Sequence, residues 1–177
     1  MYLLFYNYSL VTFFLFNRKY NHYKFTLHLR NSINFAKKLK NMLQVGDEFR
    51  HKYSYTQNDV DTFAKVSGDV NPLHIDPVAG KASMFGRNIM HGFLGASVFT
   101  KIFGALWYAE GHVYMSQNLK WFKPMFVDTE YEAVIKVKEI FKEKNRVLYE
   151  CAVYDVATGE QTIGGEALLL NKLQYNW

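Results

Sequence analysis

Cysteine is nearly absent: Cys151 stands alone in 177 residues. A single thiol excludes an intrachain disulfide and any cysteine-cluster zinc or iron–sulfur centre, and it points to a reducing compartment. Its setting is an alternating apolar run, LYECAVYDV, with no partner base close by in sequence, which suits packing rather than catalysis. Acidic residues are missing from residues 1–46, which carry seven bases (Arg18, Lys19, Lys24, Arg30, Lys37, Lys38, Lys40), while the remainder holds 14 bases against 16 acids. The net charge of +5 therefore belongs to the N-terminal segment, and the rest of the chain has no basic excess with which to bind nucleic acid. Glycine-rich phosphate loops are missing too, which removes the usual support for a nucleotide cofactor. No internal repeat or low-complexity linker is present. The apolar opening, MYLLFYNYSLVTFFLF, is 16 residues long and broken by Asn7 and Ser9. It falls short of the ~20 residues that span a bilayer, so stable membrane insertion is not expected.

Residues 1–43 form an N-terminal extension on which three readings stay open. Arg18 to Leu43 is basic, acid-free and amphipathic, as a mitochondrial presequence is, although Ser and Arg are scarce. A secretory signal lacks its positive n-region. The third reading is a poorly ordered extension, not made at all if translation starts at Met42. The expected location is the mitochondrial matrix, with the cytoplasm as the alternative if synthesis begins near Met42.

Residues 44–173 have material for one compact domain; 49% of the chain is apolar and 18% aromatic. Phe49, His51, Tyr53 and Tyr55 alternate with polar neighbours across Glu48 to Tyr55, a half-buried strand. Thr56, with Asp59 three residues on, starts a helix whose apolar face is Val60, Phe63 and Ala64 and which Gly68 ends. From Met90 to Glu110 apolar residues cover nearly the full circumference of a helix, with Lys101 the sole charge before Glu110. Such a helix must be wrapped. Val113 to Phe122, Glu130 to Phe141, Val147 to Val156 and Thr162 to Leu170 supply the wrapping as long alternating runs joined by short turns, one of them at Ala157 to Glu160. The expected fold is α+β: a single hot-dog domain, an antiparallel five-stranded sheet around one long buried helix. Its open sheet edges favour a homodimer.

Between the two helices lies SGDVNPLHID, Ser67 to Asp76. Pro72 stiffens the loop and biases Asn71 toward extended geometry, so that Asp69 and His74 can face one another. A carboxylate and an imidazole within reach of one water form an acid/base pair that works near neutral pH. His74 and Asp76 together offer only two metal ligands, too few for a zinc site. No metal is expected.

Asp69, Asn71, Pro72, His74 and Asp76 reproduce the signature G-D-x-N-P-[LIV]-H-x-[DE] of the MaoC-like (R)-specific enoyl-CoA hydratases. Phe85-Gly86, Ile89 to Gly92, Tyr114 to Gln117 and Phe122 to Val127 resemble the later blocks of that family, so the likeness runs over roughly residues 44–170. It is nearest to the short single hot-dog 3-hydroxyacyl-thioester dehydratases of mitochondrial fatty-acid synthesis. The resemblance implies reversible addition of water to trans-2-enoyl thioesters of coenzyme A or acyl carrier protein, with Asp69 and His74 as acid and base. It also implies the backbone N–H of Gly92 as the donor to the enolate oxygen, and no cofactor, because the thioester itself acidifies C2. Asn71 and Gln117 are the candidates for substrate contact, although Asn71 better suits a loop-fixing role. Asp76 suits a helix cap and His91 an alignment of the loop before the helix. Ser97 and Thr100 either orient Asp69 or bond back to their own helix. Phe93, Phe99, Phe103 and Trp107 would shape an acyl tunnel, and Arg87, Lys120 and Lys123 could receive an acidic carrier. The competing functions are a hot-dog thioesterase and a non-catalytic acyl-thioester-binding protein.

Overall fold

A computed structural model describes residues 43–108 and 110–175; the expectations for the extension lie outside the described residues. Strand β1 is Glu48–Tyr53 and alternates half-buried and exposed positions, as its sequence does. Helix α1, Gln57–Ser67, opens on a reciprocal capping box between Thr56 and Asp59. It closes on Gly68, whose φ of 78° is the left-handed geometry that glycine adopts at low cost. Two short helices follow, α2 (Pro72–Ile75) and α3 (Pro77–Ala82), each with proline in its first turn.

Strands β2 (Val113–Trp121), β3 (Tyr131–Phe141), β4 (Arg146–Asp155) and β5 (Gln161–Leu170) complete an antiparallel sheet in the order β1-β3-β4-β5-β2. These strands start and stop within one or two residues of the alternating runs. Alternate residues of β3 from Tyr131 to Val137 (Tyr131, Ala133, Ile135, Val137) and of β4 from Val147 to Val153 (Val147, Tyr149, Cys151, Val153) are fully buried. They join Ile163, Ala167 and Leu169 in one core with Leu94, Val98, Phe99, Ile102 and Phe103 of the central helical segment. Leu43 and Tyr175 also belong to that core. No helix among the described residues is long and apolar enough to cross a membrane.

The central segment departs from the expected single helix in two respects. It is divided into α4 (Gly92–Ala96), α5 (Val98–Lys101) and a π-helical turn, Ile102–Leu106. Ser97 stands at the first joint with helical dihedrals, but its N–H reaches only to the Leu94 carbonyl and its hydroxyl donates to the same oxygen at 2.7 Å. This back-bonding takes over the acceptor that the next turn would use. The segment is also buried on one side only. Phe93, Lys101, Gly104, Ala105 and Leu106 face outward, and Phe93 is 68% exposed. Tyr53 donates to the Gly95 carbonyl and Tyr55 pairs with Ser97, each at 2.9 Å, so β1 and the residues after it pin the buried side.

Candidate active site

The loop between α1 and α2 is built from short-range bonds. Asp69 N–H donates to Ser67 Oγ, and Asn71 N–H donates to Asp69 Oδ1. Asn71 caps α2 by accepting from Leu73 N–H at 3.0 Å, and Asp76 caps α3 by accepting from Val78 N–H at 2.8 Å. These two side chains therefore hold the loop. Asn88, which sequence reasoning passed over, clamps it from outside. Its amide donates to the carbonyls of Pro72, Leu73 and Asp76 at 3.3, 2.9 and 2.9 Å. Gln57 donates to the His74 carbonyl at 3.1 Å.

So held, His74 presents one nitrogen to a carbonyl and the other to Asp69. Nδ1 lies 2.8 Å from the Ile89 carbonyl oxygen. A carbonyl only accepts, so Nδ1 carries the proton and Nε2 of the neutral ring keeps its lone pair. Asp69 Oδ2 is 4.0 Å from Nε2. That is too long for a direct hydrogen bond but leaves room for one water oxygen at ~2.8 Å from each atom. His74 is 12% exposed and Asp69 54%, so the imidazole is fixed and the carboxylate faces solvent.

His91 lies beneath both. Its ring centroid is 3.9 Å from that of His74, and its Nε2 is 2.9 Å from the main-chain oxygen of Asp69. Asp69, His74 and His91 thus place three potential metal ligands within 4.8 Å of one another. The near nitrogen of His91 is engaged by the Asp69 carbonyl, however, which leaves two ligands where a zinc site takes at least three. Acid/base chemistry fits this cluster better than a metal.

A cleft of about 290 Å³ opens beside His74, with Phe85, Ile89, Met90, Gly92 and Met125 as walls and Trp121 to Pro124 at its rim. Gly92 begins α4, and its N–H has no hydrogen-bond partner among the described residues. The pyrrole ring of Trp121 covers its α-carbon: a β-carbon there would lie 2.6 Å from the indole nitrogen. Any side chain at 92 would meet that ring. Lys123 lines the rim but is paired with Glu160 at 2.8 Å. Arg87 rests on the Phe126 ring, 3.8 Å from its centroid, and Lys120 is exposed on β2.

Other expected participants are placed elsewhere. Gln117 sends its amide to the carbonyls of Asn118 and Glu166 and does not line the cleft. Asn71 does not line it either. Ser97 bonds to Leu94 and Tyr55 rather than to Asp69, and Thr100 is exposed. Phe99 and Phe103 are packed in the core, Trp107 stacks on Phe49, and Phe93 lies edge-on to Trp121 at the surface. A larger depression of about 520 Å³ on the outer face of β1, β3 and β4 is lined by Glu48, Arg50, Lys52, Glu132 and Lys136, which join ion pairs there. No histidine lines it. The residues that sequence reasoning undervalued are His91, Asn88 and Trp121.

Comparison with known proteins bears on the family of the chain. The family described as "MaoC like domain" matches residues 40–160. The (R)-specific enoyl-CoA hydratase of Aeromonas caviae is 32% identical over 127 residues, covering 72% of this chain and 94% of the relative. The mitochondrial 3-hydroxyacyl-[acyl-carrier-protein] dehydratase of Arabidopsis thaliana is 32% identical over 109 residues, which are 62% of this chain and 64% of that protein. The chain therefore spans just under two thirds of that plant relative. Among solved structures, the (R)-hydratase from A. caviae involved in PHA biosynthesis superposes with a TM-score of 0.70 at 31% identity, over 73% of this chain and 97% of the other. With its loop signature, its five-stranded hot-dog sheet and these relatives in agreement, the chain belongs to the MaoC-like domain family.

Proposed function

We propose that the protein catalyses the reversible addition of water to trans-2-enoyl thioesters, giving (R)-3-hydroxyacyl thioesters, within fatty-acid metabolism. The observation that carries this reading is the pairing of a free His74 Nε2 lone pair with Asp69 Oδ2 across 4.0 Å, beside a cleft that also holds Gly92. In the dehydration direction Nε2 takes the C2 proton, and the C–H electron pair moves into an enolate whose charge sits on the thioester oxygen. The free N–H of Gly92 meets that oxygen, and such a donor is worth ~3 to 4 kcal/mol of barrier. Collapse of the enolate expels the 3-hydroxyl, which leaves as water after taking a proton from the His74–Asp69 pair. The pair returns to its starting state, and hydration is the reverse.

Crotonyl-CoA tests the reading. Hydration removes the conjugated enoyl absorbance without freeing thiol. Release of thiol would make the protein a thioesterase, and no change at all a binding protein.

We further propose a homodimer. Among the described residues edge strand β2 pairs only with β5 and exposes Val113, Tyr114 and Met115, with exposed Phe122 just beyond its end, a surface that a second copy would cover. Sedimentation as a monomer at micromolar concentration would refute this. The basic, acid-free residues 1–43 and the mitochondrial plant relative support the matrix as the site of action. Import of a reporter fused to residues 1–43 into isolated mitochondria tests that placement.

A further inference from the structure

We propose that His91 is a positioning residue for the acid/base pair: its Nε2–H holds the Asp69 main chain, and its ring face sets the plane of His74. The inference rests on the hydratase reading for its consequence and on geometry for its basis. Nε2 of His91 lies 2.9 Å from the Asp69 carbonyl oxygen, which only accepts, so this nitrogen carries the proton. Nδ1 is buried and has no hydrogen-bond partner. It keeps a lone pair, since a proton there would be an unpaired donor in the interior. The ring is 3% exposed and lies between Phe63, at 5.1 Å, and His74, at 3.9 Å with 32° between planes.

The adjoining chain explains why this matters. Ile89 supplies the carbonyl that sets the His74 tautomer, and Met90 N–H is tied to the Met125 carbonyl at 2.7 Å. Residues 89–91 therefore hold His74 by its edge and its face and hold Asp69 by its peptide. With the donor of His91 removed, the Asp69 peptide keeps only the local bonds from Val70 N–H to the Gly68 carbonyl and from Asp69 N–H to Ser67 Oγ, and nothing among the described residues ties it to the segment that holds His74. A displacement of ~1 Å in such a pair costs up to ~100-fold in rate.

Two variants of the full chain separate positioning from packing. His91→Phe keeps a ring between Phe63 and His74 but has no donor, whereas His91→Gln places an amide N–H near the former Nε2. The expected result is a kcat for His91→Phe lowered by ~10- to 100-fold with little change in KM, and recovery of most of that loss in His91→Gln. Wild-type kcat in His91→Phe would overturn the proposal, as would equal losses in both variants. The second arm needs no variant and no activity: nitrogen-15 histidine spectra of the wild-type protein with both rings neutral. They should show His91 protonated on Nε2 and His74 on Nδ1. The opposite tautomer at His91 would overturn the proposal even if both variants lose activity. Should the wild type fail to hydrate crotonyl-CoA, the hydratase reading fails while the tautomers still decide the geometry.

Discussion

Replacing Gly92 by alanine adds one methyl group against the indole of Trp121 in the cleft. The new β-carbon would lie 2.6 Å from Nε1, 3.0 Å from Cε2 and 3.1 Å from Cδ1 of Trp121. Carbon contacts are comfortable at ~3.5 to 4.0 Å, so the indole must retreat by about 1 Å. Trp121 is 41% exposed and has room to move, which limits the cost in stability to the ~0.5 kcal/mol typical of surface positions. The cost in rate is larger, because the backbone N–H at 92 is retained but the wall that aligns the thioester against it has shifted. A displacement of this size is worth ~100-fold in kcat, or about 2.7 kcal/mol of barrier. The assay is crotonyl-CoA hydration by Gly92→Ala, Trp121→Leu and the double variant, with a melting curve for each. Trp121→Leu removes Nε1 and Cε2, the two atoms that collide hardest, so the double variant should recover much of the loss, a coupling of ~1 to 2 kcal/mol. Turnover of Gly92→Ala within threefold of wild type would refute the reasoning, and so would a strictly additive double variant.

Three further outcomes follow from the same structure. The product from crotonyl-CoA should be the (R)-3-hydroxybutyryl thioester, and an (S) product on chiral analysis would count against the assignment. Acid should destabilise the fold. Burial lowers the pKa of His112, whose Nδ1 lies 3.0 Å from the Phe103 carbonyl and whose Nε2 is 2.8 Å from Tyr175 Oη; burial followed by Lys101 lowers that of His51. A depressed histidine pKa means that the unfolded chain takes up protons first. Stability is therefore full above about 6.5 and declines as the pH falls from there toward the folded-state values. Melting temperatures from pH 8 to pH 5.5 should drop, and a flat profile would contradict this. Cys151 is buried and its thiol is pushed up to about 12, chiefly by desolvation, so iodoacetamide should leave the native protein unmodified at pH 8 and label it only on unfolding.

The sheet was legible in the sequence because each strand carries its own period of two, and strands that bury one face announce it locally. The closeness of Asp69 and His74 was legible for a similar reason: six consecutive residues, 69 to 74, hold both, and the caps, Asn71 and Asp76, lie in the same segment. What could not be read depends on distant partners. His91 follows His74 by 17 residues, and only the folded chain brings the two rings face to face. Trp121 comes from an edge strand, and nothing in its neighbours announces that its indole covers Gly92. The central helix was overestimated because an apolar circumference reveals a need for cover without revealing its source. Phe93 and Leu106 are left to the surface of this chain. Ser97, a hydroxyl in a helical run, was the local sign of a break, but bonding back to Leu94 was one of two readings open to it.

The central claim, that Asp69 and His74 together carry the reaction, is tested most directly by the steady-state hydration of crotonyl-CoA by Asp69→Asn and His74→Ala. Asp69 is half exposed and asparagine keeps the Oδ1 acceptor that receives Asn71 N–H, so that variant should fold as the wild type does. Removal of a general acid or base should lower kcat by ~100-fold or more in each. Near wild-type turnover in either folded variant would contradict the account.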